Sequence, residues 1–430
     1  MVDQTEKINV VTLGCAKNLV DSEVLLGHLK YGKARLVDSA DDADTVVINT
    51  CGFIEAAKQE SIDAILEAVH KKQDGSLKKV IVMGCLSERF KAELQQEIPD
   101  VDSYFGSNQL QDILAKLGVD YRRELLGERL LTTPSHFVYL KISEGCDNPC
   151  SFCAIPLMRG VHKSKPLEQV IAEAHSLASK GVKELIIIAQ DSTCYGLDLY
   201  GGRKLSSLLG ELQAVDGIEW IRLMYAYPAK FPMDVIEAFQ RYPKLCRYLD
   251  IPVQHAADDV LKSMRRGTTN RGLRELLTTI KDEIPQIALR TTMIVGYPNE
   301  TEADFQVLCD FVREIEFSRL GVFTYSHEEG TSAYDLGDPI PKEEKERRKN
   351  IIMAIQQAIS LARNEAFVGS EVRVLIDRIE DGQYVGRTER DAPEIDQEVF
   401  VTAKRSLKAG SFISATVTDA TEYDLSACLI

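Results

Sequence analysis

Gly145-Cys146-Asp147-Asn148-Pro149-Cys150-Ser151-Phe152-Cys153 sets three cysteines in the order C-x-x-x-C-x-x-C, directly behind the apolar run Phe137 to Ile142. Three thiolates this close in sequence hold one compact object. A closed structural zinc or a cubane iron–sulfur cluster takes four protein ligands, so a set of three leaves one metal position open for a substrate or cofactor. An open position implies chemistry. The alternative is a zinc loop with its fourth ligand elsewhere, or core cysteines clustered by chance.

Outward from that loop, the chain of 430 residues has room for two or three domains and a large core. It has ten cysteines, no charged-then-apolar leader over Met1 to Val11, and no apolar run of membrane length. These features predict a soluble cytoplasmic protein whose thiols are ligands or core residues, without disulfides. A formal net charge of −15 argues against a surface built to hold nucleic-acid phosphates and suits a basic macromolecular partner.

Upstream, apolar runs alternate with helical patterns: Ile8 to Leu13 before Gly14-Cys15, Val46 to Asn49 before Thr50-Cys51, and Val80 to Met83 before Gly84-Cys85. Helical patterns start near Leu19, Glu55 and Glu88. This alternation predicts a doubly wound parallel sheet, whose loops at the carboxyl ends of the strands share one edge. Cys15, Cys51 and Cys85 each follow a strand, so parallel pairing gathers them into a second set of three. Buried small residues at strand ends are the plainer alternative.

Tyr121 to Thr133 is polar and closed by Pro134, which marks a linker. Beyond it, strand candidates at Phe137 to Ile142, Glu184 to Ala189, Glu219 to Met224, Arg247 to Val253, Ala288 to Val295 and Leu320 to Tyr325 alternate with helices. Six βα units predict an open, partial (β/α)6 barrel with its active site at the carboxyl ends of the strands. Glu343 to Arg363 is a charged helix with one isoleucine face. After Val368 come four short runs, Glu371 to Ile376, Tyr384 to Arg387, Glu398 to Val401 and Ser411 to Val417, which predict a small antiparallel, OB-like barrel. The domain limits are therefore 1–122, a linker over 123–134, 135–363 and 364–430.

In order and content the chain resembles the radical-SAM (S-adenosylmethionine) methylthiotransferases: LGC, NTC and MGC at strand ends, then GCDNPCSFCAIP, then a C-terminal barrel of the TRAM kind. The resemblance implies an enzyme with two [4Fe–4S] clusters. Cys146, Cys150 and Cys153 would hold the one whose open iron binds SAM and cleaves it to a 5′-deoxyadenosyl radical. Cys15, Cys51 and Cys85 would hold the other, which carries the sulfur, and a second SAM would methylate that sulfur. It also implies an electron donor, and SAM contacts from Gln190 and Asp191, from Ile294 and Gly296 where glycine lets the nucleoside approach, and from Arg290 toward the SAM carboxylate. Gln254-His255 at another strand end either lines the pocket or supplies ordinary structural donors. Cys194, Cys246, Cys309 and Cys428 lack partners at ligand spacing.

Within that family two stretches resemble the branch that modifies an aspartate of the twelfth protein of the small ribosomal subunit, giving 3-methylthioaspartate. These are Leu157-Met158-Arg159-Gly160 with Ser164-Lys165, and Arg387 to Asp396. Lys165 and Gln397 depart from that branch's pattern, away from any ligand position. From Asn364 to Ile430 there are 13 acidic and 7 basic residues, which suits a barrel that holds a basic ribosomal protein better than one that grips tRNA. The competing functions are a tRNA adenosine methylthiotransferase and a non-enzymatic iron–sulfur electron carrier or scaffold.

Overall fold

The computed structural model describes residues 6–122 and 127–430. Strands β1 (Lys7–Thr12), β2 (Arg35–Leu36), β3 (Thr45–Thr50), β4 (Lys79–Gly84) and β5 (Ser103–Tyr104) form one parallel sheet in the order β2-β1-β3-β4-β5. Helices α1 (Ala16–Tyr31), α2 (Glu55–Gln73), α3 (Cys85–Glu97) and α4 (Leu110–Lys116) connect or follow them. Strand β3 is buried at every position, as a central parallel strand covered on both faces must be. Register pairs Thr12 with Asn49 and Thr50 with Gly84, so the chain leaves β1, β3 and β4 at one edge. The order reverses between β1 and β3, and such a reversal opens a crevice at the carboxyl ends of the strands. The two-residue strands β2 and β5 and the helix α4 are too short for their periodicity to show in sequence.

The expected linker falls partly on 123–126, outside the described residues. Its described remainder is no loose tether: Arg129 is buried and pairs with Glu23 of α1 at 2.8 Å and with Glu173 at 3.3 Å.

Strand β6 (Phe137–Lys141) opens the second sheet. After it come the short pair β7 (Ser143–Glu144) and β8 (Lys163–Ser164), with helix α5 (Ile155–Arg159) between them. Strands β9 (Glu184–Ile188), β10 (Trp220–Leu223), β11 (Leu245–Asp250), β12 (Ala288–Val295) and β13 (Arg319–Thr324) continue the sheet in sequence order, all parallel. Amphipathic helices cover its outer face, and the Lys342–Glu365 helix adds Ile352 to that core.

Six strands do not close a barrel, so the concave face must be covered some other way. Tyr139, Ile186, Ile188, Met224 and Tyr248 of that face lie in one apolar cluster with Val20 of α1 and with Leu375 and Ala392 of the last domain. The two flanking parts thus stopper the half-barrel and exclude water from it.

The last domain is a closed barrel of β14 (Glu371–Glu380), β15 (Gln383–Arg387), β16 (Val399–Thr402), β17 (Phe412–Ala420) and β18 (Leu425–Leu429), in the order β14-β15-β16-β18-β17. It has a fifth strand beyond the four expected. In Leu425–Leu429 only Leu425 and Ala427 are buried, too little alternation to reveal a strand from sequence. One pair, β16 with β18, runs parallel rather than antiparallel.

Arg387 to Asp396 docks this domain beneath the half-barrel. Arg387 pairs with Glu184 at 2.8 Å, Asp391 with Arg319 at 2.5 Å, and Asp396 with Arg290 at 3.4 Å. Asp396 also accepts from the Tyr248 hydroxyl at 2.8 Å. Part of the domain's acidic charge is therefore neutralised internally and is not presented to a partner. Among the described residues no helix is long and apolar enough to cross a membrane.

Candidate active site

Cys15 is the N-cap of α1, Cys51 follows β3, and Cys85 begins α3. Gly14 has φ +89°, and a Cβ there would stand 2.6 Å from Cys51 Cβ and 2.9 Å from its sulfur. Only glycine lets the Cys15 and Cys51 loops approach this closely. Asn18 ties them together, donating from Nδ2 to Leu13 O at 2.8 Å and to Thr50 O at 3.0 Å. Register sets the ends of β1, β3 and β4 side by side, which places Cys15, Cys51 and Cys85 along one edge of the sheet.

The second set sits at the carboxyl end of β6. Gly145, at φ +76°, packs against Val161 O, leaving no space for a side chain. Cys146 N donates to Gly160 O at 3.1 Å, and Ser151 Oγ to Ser263 O at 2.8 Å, pinning the loop at both ends. Arg266 Nη1 lies 3.3 Å from Cys150 Sγ, and the Tyr227 hydroxyl 3.6 Å from it. Burial pushes the thiols up, Cys146 to about 11 and Cys85 and Cys153 to about 12, and Cys51 in the same direction. Coordination reverses this, because a bound metal deprotonates a thiol outright.

Both sets fit an iron–sulfur cluster. Each offers three thiols unpaired in disulfides at a sheet's carboxyl edge, with a guanidinium N–H donor aimed at one sulfur, the kind of contact that tunes cluster thiolates. Among the described residues no three histidine, cysteine or carboxylate side chains converge as the ligands of a single ion do. In a cube each thiolate binds a different iron, so its ligands stand further apart than those of zinc.

Arg159, from α5, reaches from the half-barrel to the N-terminal sheet. Its Nε donates to Cys85 Sγ at 3.2 Å, Nη1 to Asp21 at 2.6 Å and to Glu144 at 3.3 Å, and Nη2 to Asn18 Oδ1. Lys141 pairs with the same Asp21 and Glu144. Beside this network the Lys17 ammonium lies 2.9 Å from the centroid of the Tyr225 ring. Burial draws it down to about 8, against the attraction of Cys15 and Asp250.

The residues expected to contact SAM divide. Gln190 donates to Glu144, while its Oε1 and that of Gln254 are buried without a donor; such atoms suit the ammonium or hydroxyls of a ligand. Ile294 and Phe152 of the cysteine loop pack on the same apolar group. Asp191 serves the cluster loop, accepting from Asn148 Nδ2 at 2.7 Å and from Thr193 N at 2.9 Å. Arg290 is engaged by Asp250 at 2.8 Å and by Asp396, which accounts for its charge without a ligand. At Gly296 an added Cβ would meet the Lys345 stem.

His255 is buried, accepts from Ala257 N at 3.0 Å and faces Glu300 at 3.6 Å, a structural setting. Cys194 donates to Asp191 at 3.1 Å, on a cavity of about 290 Å³ beside Cys146. Cys246 and Cys309 are core residues and Cys428 is exposed. Sequence reasoning missed Lys17, Asn18, Asp21, Tyr225, Tyr227 and Arg266. Tyr225 and Tyr227 follow β10 and were open to the strand-end argument; the others carry no local signal.

Residues 7–106 match the uncharacterized protein family UPF0004, residues 140–312 the radical SAM superfamily, and residues 368–430 the TRAM domain. The ribosomal protein uS12 methylthiotransferase RimO of Christiangramia forsetii is 56% identical over 97% of this chain and 93% of its own. Those of Chloroherpeton thalassium and Aquifex aeolicus are 53% and 50% identical, over 100% of both chains and over 97% and 96% respectively. Among solved structures, the radical S-adenosylmethionine methyltransferase TsrM of Kitasatospora setae, with tryptophan and a SAM analogue bound, has a TM-score of 0.56 at 13% identity, covering 74% of this chain and 73% of that one. The cobalamin-dependent radical enzyme OxsB has a TM-score of 0.52 at 14% identity, over 81% and 56%. These two likenesses concern the fold alone. With half or more of its residues shared along nearly the whole length of those relatives, and with the radical SAM and UPF0004 matches in the same order, the chain belongs to the RimO family of radical-SAM methylthiotransferases.

Proposed function

We propose that this protein adds a methylthio group to the β-carbon of an aspartate of ribosomal protein uS12. The observation that supports this reading is the Arg159 contact, which ties Cys85 to Glu144, two residues before Cys146. In this reading Cys146, Cys150 and Cys153 hold the [4Fe–4S] cluster that binds SAM, and Cys15, Cys51 and Cys85 hold the second. When bound, these groups supply one-electron reduction, hydrogen-atom abstraction from an unactivated carbon, and the sulfur to be transferred.

The chain's own residues bind, orient and keep out water. Arg266 donates toward Cys150 and Arg159 toward Cys85, fixing where each sulfur points, while the Tyr227 hydroxyl donates to Arg266 O at 2.9 Å and so steadies that arginine. Asp191 steadies the cluster loop through Asn148. Gln190, Gln254 and Ile294 are the SAM contacts favoured here, while Arg290 braces β12 against Asp250 and the last domain. The domain limits 1–122, 135–363 and 364–430, joined by 123–134, belong to the same reading. So do a TRAM domain that holds the ribosomal protein, an external electron donor, and work in the cytoplasm without membrane or direct tRNA binding.

Anaerobically reconstituted protein, incubated with SAM and dithionite and either uS12 or tRNA, tests it. The expected result is a mass gain of one methylthio group on the uS12 aspartate peptide, with 5′-deoxyadenosine formed. A gain on tRNA alone contradicts the reading. Absence of 5′-deoxyadenosine with both clusters loaded favours an electron carrier.

A further inference from the structure

In the interior around Arg159, most charged side chains have a partner of opposite sign. Asp21 and Glu144 are shared by Lys141 and Arg159, and Asp250 is taken by Arg290. Besides Arg266, which lies against Cys150, the buried cation here without a carboxylate partner among the described residues is Lys17. It is 7% exposed, two residues beyond Cys15, and among the described residues no carboxylate pairs with it. A buried ammonium without an anion is costly. The Tyr225 ring beneath it returns part of that cost by cation–π attraction.

Tyr225 is itself held at φ 61°, a strained conformation for a residue with a side chain, while its N–H donates to Asp250 Oδ2 at 3.1 Å. The fold thus maintains, against two local penalties, a largely buried positive charge backed by an aromatic face on the Cys15 side of the site. It lies across the domain boundary from the cysteines read as binding SAM.

Resting on the function proposed above, we propose that Lys17 receives the side-chain carboxylate of the target aspartate. Seated there, the carboxylate holds the adjacent β-carbon beside the sulfur-bearing set. The same contact selects an acidic side chain over a nucleobase, which brings no full negative charge next to its reacting carbon. Lys17 is then both an anchor for substrate and a determinant of specificity.

The test is a binding cycle under anaerobic conditions, with reconstituted protein and purified uS12 carrying either the target aspartate or asparagine in its place. The expected loss of affinity on changing aspartate to asparagine is roughly 10- to 100-fold. Lys17→Met should show the same weakened affinity for both forms, and Lys17→Arg should recover part of the difference. The proposal is overturned if unaltered protein binds the two forms equally, if Lys17→Met loses the same factor against both, or if Lys17→Met weakens SAM binding in equilibrium dialysis and leaves uS12 binding intact. Should unaltered protein bind neither form of uS12, the functional reading falls and this inference with it. The aspartate-to-asparagine swap needs no altered enzyme, so it decides the matter even if Lys17→Met fails to fold.

Discussion

Arg159 Nε stands 3.2 Å from Cys85 Sγ, so a side chain of the half-barrel reaches a cysteine of the N-terminal sheet. The same guanidinium binds Asp21 of α1 and Glu144 of β7. Outer contacts to cluster sulfurs shift reduction potential, and a buried cation favours the more negative, reduced state. Two domains that come from distant stretches of chain therefore share one electrostatic unit.

Replacing this guanidinium should be felt twice. Arg159→Gln leaves the buried Asp21 and Glu144 with Lys141 alone, and breaking one partner of such a network costs about 3–5 kcal/mol. The midpoint of the cluster at Cys15, Cys51 and Cys85 should also move to lower potential. Redox titration in a background lacking Cys146, Cys150 and Cys153 isolates that cluster, and an unchanged midpoint would limit Arg159 to a structural part.

Gly14→Ala should remove one cluster and spare the other. The new methyl group meets Cys51 at 2.6–2.9 Å in a conformation with φ +89° that alanine disfavours. Iron should fall from about eight to about four atoms per chain, while SAM cleavage persists. Iron analysis together with a 5′-deoxyadenosine assay checks both parts.

Acid should loosen the last domain from the half-barrel. Burial alone would raise the Glu184 carboxyl, but the Arg387 and Arg222 guanidiniums outweigh it and hold it below its usual 4.5. Asp377, half-buried, is held below 3.8 by His136 and Arg387. Carboxyls depressed in the folded state contribute stability above their unfolded values and lose it as pH falls through the folded ones. Thermal midpoints should therefore stay level on this account above about pH 5 and fall below about pH 4. Glu184→Gln should flatten that slope and cost about 3–5 kcal/mol at pH 7, since it leaves Arg222 without a carboxylate and Arg387 with Asp377 alone.

The cysteine sets were legible because their positions obey rules that sequence displays. Cys146, Cys150 and Cys153 are close in the chain, and Cys15, Cys51 and Cys85 each end a strand of a repeated unit. Lys17, Arg159 and Arg266 were not, since each is an ordinary residue whose meaning comes from a partner brought near by folding. Arg387 to Asp396 stands out in sequence as a distinctive stretch, and only the structure explains its composition: alternating charges that meet Glu184, Arg319 and Arg290 under the half-barrel. The packing of the Lys345 stem against Gly296 had no sequence signal either. The strand Leu425–Leu429 escapes because two buried positions make no pattern.

The central claim is that two separate clusters, one per cysteine set, divide a single reaction between them. The most direct measurement is product analysis of two triple variants supplied with SAM, reductant and uS12. With Cys15, Cys51 and Cys85 all changed to alanine, 5′-deoxyadenosine should still form and uS12 should gain no mass. With Cys146, Cys150 and Cys153 changed to alanine, neither product should appear. Methylthiolated uS12 from the first variant would contradict the account.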